Sequence, residues 1–206
     1  GANVHHNSIR TFVFISTDKT PANVNVYGAS KAIAEQMALN AGGIVLRFGN
    51  ICNSTGSLIG KWHHAMRSDS PVLEITEPTM TRYCYPISEA VDYILTATDY
   101  SNCVLIPNLK SISLVNLAAA YMFAYGKQAD IKIIGIRPGE KLHEQMTCPE
   151  ELSRMKVQVV QDRYLKLTPG QLGALPPGFE GMLSSKDALD FSHGEIVELI
   201  NSTREG

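Results

Sequence analysis

Apolar residues along this chain fall into short continuous runs separated by segments of helical spacing. Residues 11–16 (Thr-Phe-Val-Phe-Ile-Ser) form a β-branched and aromatic run without polar alternation, which is typical of a strand buried on both faces of a parallel sheet. Residues 27–40 place Ala, Ile, Met and Leu at helical spacing before Gly42 and Gly43, a helix stop, and an apolar strand resumes at 44–48. This order predicts a right-handed βαβ crossover.

The pattern after residue 49 is looser, but the rhythm of strands and helices continues. Residues 50–60 are rich in Asn, Ser, Thr and Gly, which predicts a loop region able to form a pocket. We expect helices near 61–67, 88–98, 113–125 and 192–201, and strands near 72–75, 103–106 and 131–136. Residues 137–141 (Arg-Pro-Gly-Glu-Lys) predict a turn that opens a further helix through His143 and Glu144.

Composition and charge exclude several classes of partner. The 206 residues are 44% hydrophobic and 18% charged, which is ordinary for a globular protein. A net charge of -2 gives no basic footprint for nucleic acid or for an anionic membrane. No apolar run reaches the roughly 20 residues that span a bilayer. The chain opens with Gly-Ala and without a signal-like segment, so we expect that its first residue is not a natural start.

The four cysteines fall in no Cys-x-x-Cys pair and lie far apart in the sequence: Cys52, Cys84, Cys103 and Cys148. This spacing favours buried, reduced thiols over zinc ligands or disulfides, and therefore a cytoplasmic protein. The pairs His5-His6 and His63-His64 invite a metal hypothesis. Adjacent side chains diverge, however, and no third ligand pattern accompanies them, so we predict no metal site.

Tyr27 and Lys31 lie one helical turn apart, directly after a strand that ends in polar residues. An ammonium near a phenol favours the ionised phenol, which is a base for an alcohol. Such a base can take the hydroxyl proton while a nicotinamide cofactor takes the hydride from the same carbon, which oxidises the alcohol to a carbonyl. The spacing alone is weak evidence, and a surface helix pair is the alternative. The position of the pair after the end of a parallel strand, where open parallel sheets bind ligands, strengthens the active-site interpretation.

Four sequence blocks carry a resemblance to a known family. They are 16–19 (Ser-Thr-Asp-Lys) with 27–31 (Tyr-Gly-Ala-Ser-Lys), 46–51 (Leu-Arg-Phe-Gly-Asn-Ile), 80–82 (Met-Thr-Arg), and 134–144 (Ile-Gly-Ile-Arg-Pro-Gly-Glu-Lys-Leu-His-Glu). With them the chain resembles the extended short-chain dehydrogenase/reductases, most closely the UDP-N-acetylglucosamine 4,6-dehydratases of bacterial polysaccharide and flagellin-sugar biosynthesis.

The resemblance implies a set of catalytic roles. Tyr27 would be the base at the sugar C4 hydroxyl, Lys31 its helper and a cofactor-ribose ligand, and Thr17 a donor to the C4 oxygen. Oxidation at C4 makes the C5 proton acidic, so a base at C5 and an acid at the C6 hydroxyl expel water. Lys19 would be that base, which requires a lowered lysine pKa, and Asp18 the acid. The presence of Asp18 and Lys19 favours dehydration over epimerisation. The alternative is that they are a solvent-exposed pair in a loop.

A substrate-binding set is implied as well. Residues 47–50 would contact the substrate, and the loop 54–57 would help to bind the diphosphate. Arg137 suits a bidentate phosphate contact, Glu140 a ribose hydroxyl, and Arg82 a second phosphate contact, with structural salt bridges as the alternative for the arginines. The implied substrate-binding residues are Asn50, Ser54, Ser57, Arg82, Arg137 and Glu140.

The fold implied is α/β: the C-terminal part of a Rossmann-like parallel sheet plus a smaller α/β substrate-binding domain. We expect a partial Rossmann-like domain at 1–110, interrupted at about 52–82 by a substrate-binding segment, and a substrate-binding domain with a C-terminal tail at 111–206. The family's first four strands, with their glycine-rich cofactor turn, have no counterpart. NADP or NAD would be the cofactor, and its binding by this chain alone is doubtful.

The sequence thus favours a nucleotide-sugar 4,6-dehydratase, C5-inverting because Tyr27 stands where membrane-anchored relatives often have Met, and inactive as a truncated chain. A UDP-sugar 4-epimerase and a non-catalytic UDP-sugar-binding module are the alternatives. The expected partners are a UDP-sugar and either a second copy of the chain or a missing N-terminal half, because an uncovered strand edge favours association. The sugar and the choice of NAD or NADP stay open.

Overall fold

The computed structural model describes residues 10–22, 25–52, 54, 57–170 and 173–204. Its strands are β1 (Val13–Thr17), β2 (Ile44–Phe48), β3 (Asn50–Ile51), β4 (Val72–Ile75), β5 (Thr81–Tyr85), β6 (Cys103–Pro107), β7 (Ser111–Ser113), β8 (Asp130–Ile133), β9 (Met155–Val160) and β10 (Tyr164–Pro169). Its helices are α1 (Val26–Asn40), α2 (Leu58–Met66), α3 (Ile87–Ala97), α4 (Leu114–Tyr125), α5 (Pro149–Leu152) and α6 (His193–Thr203), with a 3₁₀ turn at Glu180–Met182.

The chain divides into two compact units, each built from three stretches of sequence. Unit 1 comprises Gly1–Phe48, Val91–Asn108 and Met146–Pro176. Unit 2 comprises Gly49–Ala90, Leu109–Gln145 and Pro177–Gly206. The prediction placed the boundary at residue 110, whereas this division groups residues 146–176 with the first unit, because the β9–β10 hairpin extends its sheet. The predicted interruption at about 52–82 falls within Gly49–Ala90 of unit 2.

Unit 1 is a five-stranded sheet in the order β1-β2-β6-β10-β9. β1, β2 and β6 are parallel, and β10 pairs antiparallel with both β6 and β9. Every residue of β2 and of β6 is buried, as the continuous apolar runs predict for central parallel strands. The structure confirms the α/β class and the β1–α1–β2 unit.

The ends of α1 explain how the chain turns back to β2. The Asn25 side chain accepts a hydrogen bond from the Gly28 backbone N–H at 2.8 Å, which caps the helix N-terminus. After the helix, Gly42 has a φ of +76°, a left-handed conformation that glycine adopts without strain. At Gly43 a Cβ atom would lie 2.6 Å from the Phe12 ring, so a larger residue does not fit there.

Unit 2 holds two small sheets and three helices around its own core. β3, β5 and β7 form one sheet, and β4 pairs in parallel with β8 in the other. α2, α4 and α6 supply much of the apolar core, in which Trp62 packs edge-on against Tyr121 with ring centroids 5.5 Å apart. The predicted helix through His143 and Glu144 is wrong. That segment is irregular, and its backbone groups bond elsewhere, as in Thr81 N–H to the Leu142 carbonyl.

Candidate functional site

Three predicted catalytic residues lie together at the carboxyl end of β1 in unit 1. The Thr17 hydroxyl donates to Asp18 Oδ1 at 2.7 Å, and the Lys19 ammonium pairs with the same oxygen at 2.9 Å. The Asp18 backbone N–H donates to the Phe48 carbonyl of the neighbouring strand, so the carboxylate is held at this edge of the sheet. The structure thus brings Thr17, Asp18 and Lys19 into direct contact.

The two oxygens of Asp18 differ. Oδ1 receives two donors, whereas Oδ2 is buried and has no hydrogen-bond partner among the residues that the structure describes. The residue is only 1% exposed, and a buried carboxylate oxygen without a donor is costly. Oδ2 is therefore the oxygen at which a ligand hydroxyl or a proton would be stabilised.

Tyr27 and Lys31 lie one turn apart in the first half of α1, as the spacing predicts. The Tyr27 side chain is 53% exposed. The Lys31 ammonium donates to the Ile15 carbonyl of β1 at 3.1 Å and lies 5.0 Å from the centroid of the Phe14 ring. The lysine is thus anchored to the strand that carries the Asp18 cluster.

The prediction that residues 47–50 contact the substrate does not fit Arg47, whose side chain is buried and bonded within unit 1. Its guanidinium bonds both oxygens of Glu35 at 2.7 and 2.9 Å and both oxygens of Glu151 at 2.7 Å, inside unit 1. Burial acts to lower the pKa of Arg47, but the two carboxylates outweigh it and raise that pKa overall. Although burial raises the pKa of Glu151, Arg47 and Thr147 lower it overall.

The predicted substrate-binding residues meet at one cavity of about 760 Å³ in unit 2. All six line it, namely Asn50, Ser54, Ser57, Arg82, Arg137 and Glu140. Apolar wall residues come from the core of the same unit, among them Ile59, Trp62, Met80, Ile112, Leu114 and Leu117. The volume lies within the range of small-molecule sites, and apolar walls with a few polar groups are typical of them. Thr55 and Gly56 of the predicted loop lie outside the described residues.

The cations at this cavity are in different states. Arg82 donates through Nη1 to the Thr81 and Leu142 carbonyls at 2.8 and 3.1 Å, and through Nη2 to Glu140 at 3.2 Å. Its charge is therefore committed within the unit. Arg137 and Lys61 are exposed and line the cavity without a carboxylate partner among the described residues.

Sequence reasoning missed Lys61 and Glu144. Lys61 falls in a predicted helix and looks like any surface lysine; only its place on α2 beside the cavity distinguishes it. Glu144 closes the fourth resemblance block but received no role, because the helix predicted there is absent. The structure buries Glu144 to 4% exposure, with its carboxylate bonded to Asn50, which lines the cavity.

A disulfide joins Cys52 and Cys84 in the wall of the cavity. This corrects the prediction of reduced thiols for Cys52 and Cys84. The two residues are 32 positions apart in sequence, but β3 and β5 are paired in parallel, which brings their Cα atoms to 6.1 Å. Cys103 and Cys148 are free thiols.

The pair His63-His64 belongs to no metal site among the described residues. His63 is buried, with Nδ1 2.8 Å from the Tyr125 hydroxyl and Nε2 3.0 Å from the Thr203 hydroxyl. His5 and His6 lie outside the described residues. Within those residues, no three His, Cys, Asp or Glu side chains are grouped to hold a metal ion, and no helix is long and apolar enough to cross a membrane.

Residues 2–164 match the family model described as polysaccharide biosynthesis protein. An uncharacterised membrane protein of Methanocaldococcus jannaschii is 34% identical over 93% of this chain and 62% of its own length. A UDP-N-acetylglucosamine 4,6-dehydratase (inverting) of Campylobacter jejuni is 30% identical over 96% of this chain and 65% of its own length. A UDP-glucose 4-epimerase of Rickettsia felis is 30% identical over 72% of this chain and 47% of its own length. The chain therefore spans less than two thirds of these relatives.

Solved structures agree on the fold. Pen from Bacillus thuringiensis superposes with a TM-score of 0.79 at 22% identity, over 94% of this chain and 62% of that one. A UDP-glucuronic acid 4-epimerase from Bacillus cereus, solved with UDP-glucuronic acid and NAD, superposes with a TM-score of 0.63 at 15% identity, over 97% of this chain and 63% of that one. At these identities the likeness concerns the Rossmann-like fold.

Proposed function

The chain belongs to the polysaccharide biosynthesis protein family, and on that premise we propose that it carries the catalytic residues and the nucleotide-sugar cavity of a UDP-N-acetylglucosamine 4,6-dehydratase of the C5-inverting type. The observation that carries the proposal is the cluster of Thr17, Asp18 and Lys19, in which Asp18 Oδ2 is buried without a partner among the described residues. An acid and a base side by side are what elimination of water requires and what epimerisation does not need.

The first step is oxidation at the sugar C4. Tyr27 takes the proton of the C4 hydroxyl, and Lys31, anchored on β1, supplies positive charge on the same helix face. A bound nicotinamide cofactor would supply the hydride acceptor for this oxidation and the hydride donor for the later reduction at C6. Tyr27 and Lys31 suit its nicotinamide ribose. The glycine-rich turn for its pyrophosphate has no counterpart in the sequence, so the chain alone is proposed to bind it weakly and to be inactive.

Elimination then uses the Asp18 cluster. Because Thr17 and Lys19 both donate to Oδ1, a proton on Asp18 sits on Oδ2, from which it passes to the departing C6 hydroxyl. Lys19 removes the C5 proton as a neutral amine, after its ammonium has given a proton to Asp18; the C6 hydroxyl takes that proton from Asp18 and leaves as water. The Thr17 hydroxyl hydrogen points at Asp18, so its predicted bond to the C4 oxygen would require that hydroxyl to rotate.

The nucleotide portion is proposed to occupy the cavity of unit 2. Arg137 and Lys61, which line it without a carboxylate partner among the described residues, bind the diphosphate together with Ser54 and Ser57. Glu140, whose Oε2 accepts from the Arg137 backbone N–H at 3.3 Å, faces a ribose hydroxyl. For Arg82 we propose a role other than the predicted phosphate contact: it holds Glu140 in place.

Calorimetric titration of this chain with UDP-N-acetylglucosamine, and separately with NADP(H) and NAD(H), tests the proposal. UDP-sugar binding without cofactor binding is the expected result. Absence of UDP-sugar binding would overturn it. Binding of both would mean that association of two chains, which stays a prediction, completes the cofactor site; β1 is the terminal strand of the described sheet and offers an edge for it.

A UDP-sugar 4-epimerase is the second candidate, because the Rickettsia felis relative carries that name. Tyr27 and Lys31 alone would serve it. Incubation of the complete enzyme with UDP-N-acetylglucosamine separates the two: a 4-keto-6-deoxy product supports dehydration, and UDP-N-acetylgalactosamine supports epimerisation. Replacing Asp18 by Asn should abolish the first product and spare the second.

A further inference from the structure

Glu144 is a buried carboxylate bonded to three groups of unit 2. It accepts from the Asn50 side-chain amide at 2.9 and 3.1 Å and from the Tyr83 backbone N–H at 3.2 Å. The Arg82 Nε atom lies 3.5 Å from its Oε1. The Glu144 carboxylate accepts hydrogen bonds from Asn50 in β3 and from the Tyr83 backbone in β5, and it therefore fixes these groups relative to each other.

The backbone of Glu144 is fixed as firmly as its side chain. Its N–H donates to the hydroxyl of Ser185 at 2.9 Å, and the Ser185 N–H donates back to its carbonyl at 2.8 Å. Ser185 is fully buried. Glu144 is therefore a rigid reference point, not a side chain that follows its neighbours.

This arrangement decides which way the Asn50 amide faces. Its NH₂ group carries two hydrogens, and both have acceptors: the Tyr83 carbonyl at 3.1 Å and the Glu144 carboxylate. A flipped amide would place its oxygen against two acceptors, so the orientation is unambiguous. Asn50 lines the cavity, and its Oδ1, which can only accept a hydrogen bond, has no partner among the residues that the structure describes, so an acceptor is what Asn50 offers a ligand.

We infer that Glu144 is a positioning residue of the nucleotide-sugar cavity, which makes Asn50 an obligate acceptor for a hydroxyl or amide N–H of the ligand and keeps Arg82 on Glu140. The inference rests on the proposed function. It assigns Asn50 to a donor group of the sugar nucleotide, in contrast to a role as donor to phosphate oxygen.

Glu144→Gln tests this with one atom changed. A Gln amide that accepts from Tyr83 N–H turns its own NH₂ toward Asn50. In its present orientation the Asn50 NH₂ then meets a second NH₂, and when flipped its oxygen meets the Tyr83 carbonyl, so the Asn50 amide is no longer held with Oδ1 toward the ligand. We expect UDP-N-acetylglucosamine affinity by calorimetry to fall about tenfold, the size of one hydrogen bond made wrong. Glu198→Gln, on the exposed face of α6, is the matched control and should bind like the wild type.

The double variant Asn50→Asp with Glu144→Gln supplies the decisive readout. The carboxylate introduced by Asn50→Asp accepts from the new Gln amide and still offers an acceptor to the ligand, but it has no hydrogen for the Tyr83 carbonyl, so affinity should rise above that of Glu144→Gln without reaching the wild-type value. Asn50→Asp alone puts two carboxylates together and should bind poorly. A role in structure alone would move the unfolding temperature but would not produce this rescue.

The outcomes separate the two claims. If the wild type does not bind UDP-N-acetylglucosamine, the proposed function fails and this inference with it. If the wild type binds and Glu144→Gln binds within twofold, or the double variant stays as weak as Glu144→Gln, the inference alone is overturned. Should Glu144→Gln not fold, Asn50→Ala, which leaves Glu144 with Tyr83 and Arg82, must still lose about tenfold, and unchanged affinity would overturn it.

Discussion

Each unit contains an arginine between two glutamates, and the two clusters differ in what surrounds them. In unit 1, Arg47 sits between Glu35 and Glu151 with only 4% of its side chain exposed. In unit 2, Arg82 sits between Glu140 and Glu144 in the wall of a cavity, with 17% exposed. The same residue types thus form a sealed structural network in one place and the border of a ligand site in the other.

The comparison shows why residue type does not reveal the role of a charged cluster. Around Arg47 every strong donor and acceptor is matched within the unit, including a bond from Nη1 to the Met146 carbonyl at 3.0 Å. Beside Arg82, the cluster adjoins Asn50 and Arg137, which line a cavity. The binding site is therefore marked by polar groups that line a cavity and are available to a ligand, and not by the presence of charged residues alone.

Replacement of Arg47 by Met should have the largest effect. It leaves Glu35 and Glu151 buried and opposed without their cation, so we expect a loss of about 3–5 kcal/mol of unfolding free energy. Urea unfolding followed by circular dichroism measures it. Arg82→Met, less buried, should cost clearly less; equal losses in the two variants would contradict the distinction drawn between the clusters.

Reduction of the Cys52–Cys84 bond should come next and should act on unit 2. Closing a loop of 32 residues stabilises a fold by about 3.7 kcal/mol in the chain-entropy description. Trp62 is the only tryptophan and belongs to the core of unit 2, so its fluorescence during urea unfolding, with and without dithiothreitol, reports that unit. A Cys52→Ser, Cys84→Ser variant that is insensitive to the reductant is the control. An unchanged midpoint for the reduced wild type would refute the expectation.

Arg137→Ala should separate binding from stability. Its side chain is exposed, so the unfolding midpoint should not move, while UDP-sugar affinity should fall about tenfold or more for the loss of a charged hydrogen bond. Lys61→Ala should follow the same pattern with a smaller, roughly threefold loss, because a single ammonium contact is less directional. Calorimetry with UDP-N-acetylglucosamine measures both. Arg154→Ala, an exposed arginine of unit 1, should bind like the wild type.

Acid should weaken the two units over different pH ranges. Burial, with Arg204 and Arg67 nearby, lowers the pKa of His63 below its usual 6.5. Since the unfolded chain takes up that proton first, unit 2 loses stability as the pH falls below about 6.5. The lowered pKa of Glu151 acts in unit 1 only as the pH falls below its usual 4.5. Trp62 fluorescence follows the unfolding of unit 2, and circular dichroism follows the unfolding of both units together.

His63→Gln and Glu151→Gln are the matched variants for this pH experiment. The first should reduce the loss of stability that begins as the pH falls below about 6.5, with His143, whose pKa is also lowered, accounting for part of the remainder, and the second should reduce the loss that begins below about 4.5. If both variants retain the wild-type profile, neither group governs the acid sensitivity.

The sequence predicted what local patterns and motif blocks encode. The β1–α1–β2 unit follows from strong apolar runs, and the family resemblance led to six of the residues that line the cavity. The helix expected at His143 failed because the backbone of that segment is satisfied by distant residues such as Thr81 and Ser185, which no local pattern contains. The Cys52–Cys84 bond escaped for the same reason, since it depends on the pairing of β3 with β5.

The place of β10 in the sheet of unit 1 has a consequence for synthesis on the ribosome. β10 lies between β6 and β9, and it is made after most of the chain, including two of the three stretches of unit 2, has already emerged. Until then β6 has a bare edge, an available template for mispairing with other nascent chains. Assembly of this sheet is therefore a late, long-range event, and the yield of native protein should depend on how well β6 is shielded while translation proceeds.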